Sequence, residues 1–239
     1  MADTGWIDAA HSVESNGSAT YPADAEDWVG DDDPWVTAIR WDEADFSLPG
    51  GETITQVDIN IYTNNANGDP SERSFAFHPY NSDGQTDPDG ETAADVLTNC
   101  AAGTAWATGI TSLVTPLSYH AVTMGGTAVA DVVAAFTAGG FVSVGLIGES
   151  TPWQNGERIE IDSVASAANV PQMKITYTTA GNLSLAAVAG FGSASVSANM
   201  VRSATVSADG LSTAEALLDG GSTSISAIAH HHRMLQGVG

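Results

Sequence analysis

The stretch "ITQVDINIYTN", residues 54–64, settles the class of fold. Ile54, Val57, Ile59 and Ile61 are apolar, and Asp58 and Asn60 stand between the last three. Side chains of an extended chain alternate between faces, so this is a strand with one face in a core and the other polar. Upstream, "WVTAIRWDEADFSL" (35–48) is aromatic-rich extended sequence that closes at the turn "PGGE". Downstream, "RSFAFHPY" (73–80) alternates around Phe75 and Phe77, and the polar run "NSDGQTDPDGE" (81–91) reads as a loop.

Only one segment carries a helical period. In "TAVADVVAAFTAGG" (127–140), Val129, Val132, Val133 and Phe136 fall on one helical face, and Gly139 supplies a C-terminal stop. Three further strands follow: "FVSVGLIGE" (141–149), "RIEIDSV" (158–164) and "QMKITYTT" (172–179). Short strands with a single short helix predict an all-β fold, a β-sandwich over residues 1–178.

The order of these elements resembles a jelly-roll family of carbohydrate-binding-type modules (the DNRLRE type), found among other places in structural proteins of tailed viruses. "AIRWDEADFSLPGGETITQVDINIYT" matches the family's Arg-containing strand, its Ser-Leu-Pro turn and the strand after it. The ending "IEIDSVASAANVPQMKITYT" places Ser163, Pro171 and Tyr177 in the family's closing order. Where the family carries Tyr-Gly near its first strand, this chain has "SATYPADAEDWVGDDDPW". The resemblance implies a jelly-roll β-sandwich, and a surface that attaches to glycans or to other proteins.

After "TTAGN" the composition changes. Ser193, Ala194, Val196, Ser197 and Ala198 recur ten residues later as Ser203, Ala204, Val206, Ser207 and Ala208. Residues 179–239 therefore read as a Ser/Ala/Gly-rich extended β segment, with "STAEALLDGG" (212–221) as a possible helical turn. So few large side chains bury little apolar area. At about 25 cal/mol per Å² this does not offset the roughly 1–2 kcal/mol of backbone entropy lost per ordered residue. Such a segment orders against something else. Its larger apolar residues, Val196, Val201, Val206 and Leu211, are the expected assembly contacts.

Charge separates the same two regions. The chain has 239 residues and a formal charge of −23. Residues 1–180 hold 26 Asp and Glu against Arg40, Arg73, Arg158 and Lys174, whereas residues 181–239 hold Asp209, Glu215 and Asp219 against Arg202 and Arg233. An acidic surface repels phosphate backbones, which argues against a nucleic-acid partner. No apolar run approaches the roughly 18 residues needed to cross a bilayer, so no membrane partner is expected. The start, "MADTGWIDAAHSVESNG", lacks a basic and then apolar leader. The expectation is synthesis in a host cytoplasm without a signal peptide, unless a leader has been removed.

Few motifs carry chemistry. "EDWVGDDDPW" (26–35) sets Glu26, Asp27, Asp31, Asp32 and Asp33 between or beside Trp28 and Trp35. Clustered carboxylates suit Ca²⁺, and flanking indoles suit a sugar, so Trp28, Asp31, Asp32, Asp33 and Trp35 are the candidate ligand-binding residues. The simpler reading is a solvated acidic loop with its Trp residues tucked into the core. "DGQTDPDGE" (83–91) has the Asp87, Asp89 and Gly90 of a calcium loop, but Gln85 and Val96 stand where acids are required, so it reads as a turn. Gly148-Glu149-Ser150 follows a strand as in a nucleophile elbow, but Pro152 replaces the required Gly. His230, His231 and His232 suit a transition metal or a solvated cluster. Cys100, the one cysteine, reads as a buried apolar residue. No catalytic residue is assigned, no resident cofactor is expected, and the chain reads as not an enzyme.

The reading that joins these features is a virion structural protein: a capsid decoration, head fibre or tail-associated subunit on the virion surface. Its partners would be itself, as a homo-oligomer such as a trimer, other virion proteins, and host surface glycans. The alternatives are a carbohydrate-binding module for glycan or surface attachment, and a surface-layer or filament subunit.

Overall fold

Strands follow one another from the N-terminus in the computed structural model. They are β1 (Ala2–Asp3), β2 (Ile7–Asp8), β3 (His11–Ser15), β4 (Thr20–Tyr21), β5 (Glu26–Gly30), β6 (Val36–Asp42), β7 (Glu52–Asn67) and β8 (Phe75–Pro79). Helix α1 (Ala93–Cys100), β9 (Ala107–Ile110), β10 (Ser118–Thr123), α2 (Ala128–Gly139), β11 (Phe141–Gly148), β12 (Arg158–Asp162) and β13 (Gln172–Thr179) complete the unit Met1–Thr178. A separate unit, Thr179–Gly239, contains β14 (Ala194–Asn199), β15 (Ala204–Ala208), β16 (Ser212–Ala216) and β17 (Ser222–Ala227). The structure describes residues 1–20, 26–30, 34–68, 73–149 and 156–179, and the backbone of Tyr21 and of β14 to β17.

The first unit is a jelly-roll sandwich of two antiparallel sheets. Sheet A has the order β1-β13-β7-β12-β5, with β10 also on β7 and β2 on β13; sheet B has the order β4-β3-β6-β11-β8-β9. The longer strands from β3 to β12 alternate between the sheets, so successive connections cross the sandwich. The core lies between them. Val57, Ile59 and Ile61 of β7, with Ile159, Ile161, Met173 and Ile175, face Ile39, Trp41, Phe75, Phe77, Val142, Val144 and Leu146 from sheet B. The strands expected at 54–64, 73–80, 141–149, 158–164 and 172–179 are all present.

Sheet B buries its other face as well, which alternation alone does not reveal. Val36 and Ala38 of β6 join Val13, Tyr80, Val96 and Cys100 in a second apolar cluster beneath α1. This helix was not expected from the sequence. Its signal is a capping pattern: the Thr92 hydroxyl accepts the Asp95 N–H at 3.3 Å and donates to the Asp95 carboxylate at 2.6 Å. Only Val96 and Cys100 of its eight residues are buried, too few to form a visible period. Burying Val96 alone contributes about 1.5–3 kcal/mol. Gly145 of β11 admits the helix end: a Cβ there would lie 2.5 Å from the Cys100 Cα. Cys100 is fully buried, and desolvation pushes its thiol well above the usual value.

Helix α2 occupies the predicted segment with a rotated face. Ala128, Val132, Ala135 and Phe136 are buried, whereas Val133 is 44% exposed. Phe136 sets the rotation by packing on Phe46 with ring centroids 5.4 Å apart. Gly140, one residue beyond the expected stop, takes the left-handed conformation (φ 71°) and donates its N–H to the Phe136 carbonyl at 2.9 Å. The edge of β5 away from β12 is bonded from sheet B: Glu14 accepts the Trp28 N–H, and the Thr37 hydroxyl donates to the Trp28 carbonyl at 3.2 Å.

In the second unit β14 pairs with β17 and β15 pairs with β16, both antiparallel. The inner pair is nested within the outer one. Ser212–Ala216, read as a possible helical turn, is a strand. Pairing with β15 overrides the helix preference of its alanines and glutamate. Among the described residues, no helix is long and apolar enough to cross a membrane.

Candidate functional site

Strand β5 delivers the first predicted site residue. Trp28 lies opposite Glu160 of β12, and Gly30 and Trp35 exchange backbone hydrogen bonds of 3.0 and 2.8 Å. Asp31, Asp32 and Asp33 lie outside the described residues. Trp28 and Trp35 are half-buried and absent from the core cluster, so they are not tucked inside as the simpler reading expected. Their rings meet edge to face at 5.0 Å, and the Arg158 guanidinium lies 3.5 Å over Trp28. That stacking occupies one face of the indole.

The remaining acids of that stretch do not converge. Glu26 and Asp27 are consecutive on a strand and so belong to opposite faces. Glu26 accepts from Asn64, whereas Asp27 is only 1% exposed. Among the described residues, no group of three His, Cys, Asp or Glu is placed to hold a metal ion. In the 83–91 loop, Asp87 is held by Arg40 at 2.5 Å and accepts the Asp89 N–H at 3.1 Å. Asp89 lies 3.6 Å from His11. The acids of this turn therefore fasten it to sheet B. Glu149 accepts the Gly109 N–H at 2.6 Å, while Ser150 and His230 to His232 lie outside the described residues, as do Val201 and Leu211.

Sequence reasoning missed the wider surface to which Trp28 belongs. The core-facing positions of β7 leave Gln56, Asp58, Asn60 and Tyr62 on the outer face of sheet A. Asp58 accepts from Gln56 at 2.8 and 2.9 Å and from Thr123 at 2.6 Å, and Lys174 lies 3.4 Å away. The same lysine sits 4.7 Å over the ring of Trp6, which is 36% exposed. Asn60 donates to Gln172 at 3.2 Å, and Gln172 donates to Asp8 at 2.9 Å. Across the β7–β10 pair, Tyr62 and Tyr119 meet edge to face at 5.2 Å. Burial, then the nearby Asp8 and Asp162, raise the Tyr119 phenol above its ordinary value, so it stays a neutral donor and acceptor. Asn67 donates to Glu160 at 2.5 Å near Trp28.

Aromatic rings thus stand at three stations on one face, separated by amides and carboxylates. Amides both donate and accept, carboxylates accept, and aromatic faces cover C–H surfaces. This combination suits a neutral polyhydroxylated ligand and disfavours phosphate. The polar and aromatic residues at alternate positions of β7 were the available signal. Their partners on β10 and β13 became neighbours only through the sheet order.

A separate open groove of ≈ 650 Å³ runs beside α2, walled chiefly by Leu48, Ile54, Val129, Val133 and Phe136, with Glu43 and Glu52 among its lining residues. No family model and no curated protein matches the chain.

Proposed function

We propose that this chain is a non-enzymatic structural protein of a virion surface, as a capsid decoration, head fibre or tail-associated subunit. In this reading the acidic sandwich faces solvent, and the weakly charged C-terminal unit joins sister copies and other virion proteins. The observation that carries it is the pair of two-stranded ladders, β14–β17 and β15–β16. A two-stranded hairpin is marginal by itself in water and gains stability from further strands or a packed face. The division of charge supports the same arrangement, since the sandwich copies repel one another and the second unit does not.

Ending the chain after residue 178 is expected to leave a folded, monomeric sandwich, whereas the full chain self-associates. Sedimentation velocity decides the matter. A full chain that stays monomeric across the micromolar range would overturn the assembly reading.

The outer face of sheet A favours a second reading, attachment to glycans. Replacing both Tyr62 and Tyr119 by Ala is expected to weaken binding to a responsive neutral oligosaccharide at least tenfold, about 1.4 kcal/mol. Fluorescence titration against an oligosaccharide panel measures it. An unchanged affinity, or no binding by the parent protein to any member of the panel, counts against this reading.

A further inference from the structure

The registers of the C-terminal ladders sort their residues by chemistry. In the outer ladder, Ala194 opposes Ala227, Val196 opposes Ile225, and Ala198 opposes Thr223. The alternate positions pair Ser195 with Ser226, Ser197 with Ser224, and Asn199 with Ser222. One face is therefore assigned Ala, Val, Ile and a single Thr, and the other Ser and Asn. The inner ladder repeats the division. Ala204, Val206 and Ala208 oppose Ala216, Ala214 and Ser212, while Thr205 and Ser207 oppose Glu215 and Thr213.

Two features keep the division consistent between ladders. The sequence echo has a period of ten, an even number, so β14 and β15 carry their apolar residues at positions of the same parity. On the returning strands the parity changes: Ala214 and Ala216 are even, whereas Thr223, Ile225 and Ala227 are odd. The pairing register changes by one residue between the ladders at the same point, so apolar still opposes apolar. Either change alone would place apolar residues opposite serines, which a segment selected only as a polar spacer has no reason to avoid.

We infer that these apolar faces form a homotypic seam, at which the C-terminal unit of a second copy of this chain stacks face to face. The inference rests on the assembly reading above and names the surface that performs it. Charge selects the occupant. The apolar positions carry no ionisable residue, and the one charged residue of the ladders, Glu215, falls on the other face. Two such faces meet without like-charge cost, whereas a second copy's acidic sandwich has no basic group to meet there. The mainly Ala, Val and Ile surface is complementary to itself, as an isologous contact requires.

The test uses the full chain in sedimentation velocity at tens of micromolar. Val196→Asp/Ile225→Asp, which puts carboxylates into the seam, is expected to sediment as the 24.4 kDa monomer. Ser197→Asp/Ser224→Asp, which puts the same charge on the opposite face, is expected to keep the parent's oligomeric state. Val196→Ile controls for side-chain change without charge and is expected to remain oligomeric. If the Val196/Ile225 variant stays oligomeric, or the Ser197/Ser224 variant dissociates equally, the seam is wrong and assembly uses another surface. If the parent chain is itself monomeric, the assembly reading fails together with the seam. Parent oligomers that form only with another virion protein present would also overturn the homotypic seam.

Discussion

Gly145→Ala protein is expected to melt roughly 6–12 °C below the parent, from a loss of about 3 kcal/mol in a domain of this size. The added methyl would lie 2.5 Å from the Cys100 Cα and 2.8 Å from its carbonyl carbon. Both are backbone atoms, so no rotamer change relieves the overlap. Helix α1 must move off β11, and the buried cluster of Val13, Val36, Ala38, Tyr80 and Val96 opens with it. The phenol of Tyr80, which donates to Glu91, would lose its fixed setting as well. Differential scanning calorimetry gives the shift. A midpoint within 2 °C of the parent would show that α1 is not seated on sheet B as described.

The second large effect is expected in the main core. Trp41 is fully buried, and its indole N–H donates to the Ile7 carbonyl at 3.2 Å. Trp41→Ala removes the ring and leaves that carbonyl unpaired, at a cost of about 3–5 kcal/mol. Trp41→Phe keeps most of the volume and loses mainly the hydrogen bond, so about 1–2 kcal/mol is expected. The order Ala worse than Phe is the informative result, measured by chemical denaturation. Equal stability of the two variants would mean that packing around Trp41 contributes little.

The residues that pointed to the sandwich were those whose chemistry alternates sharply. Val57, Ile59 and Ile61 against Asp58 and Asn60 fix both the strand and the face it buries. Helix α1 escaped because sheet B, and not its own sequence, supplies most of its apolar surroundings. Strand β10, "SYHAVT", escaped because only one of its faces touches the sandwich, and lightly. Its exposed face holds Tyr119, which gains meaning only beside Tyr62. The candidate site was legible at Trp28 and Trp35 as residue types. The setting of Trp28 was not, because Arg158 and Glu160 reach it through the β5–β12 pairing, a long-range contact that no local pattern encodes. The helical reading of "STAEALLDGG" failed for a related reason: strand pairing with Ala204–Ala208 outweighed local preference.

The placement of the sandwich's four basic residues has a consequence for its survival among digestive enzymes. Arg40, Arg158 and Lys174 lie within strands, and each is near a carboxylate: Asp42 and Asp87, Glu160, and Asp58. Arg73, just before β8, pairs with Glu157. A protease that cuts after Arg or Lys needs several flanking residues drawn out into its cleft. For Arg40, Arg158 and Lys174 that means pulling a strand from a sheet, so cutting there follows the rare population of opened molecules. The 83–91 loop offers such an enzyme no residue to recognise, and Arg73 is the one basic residue of the sandwich outside a strand. A trypsin-like enzyme would therefore cut this sandwich first at Arg73 and elsewhere only at the rate its strands open.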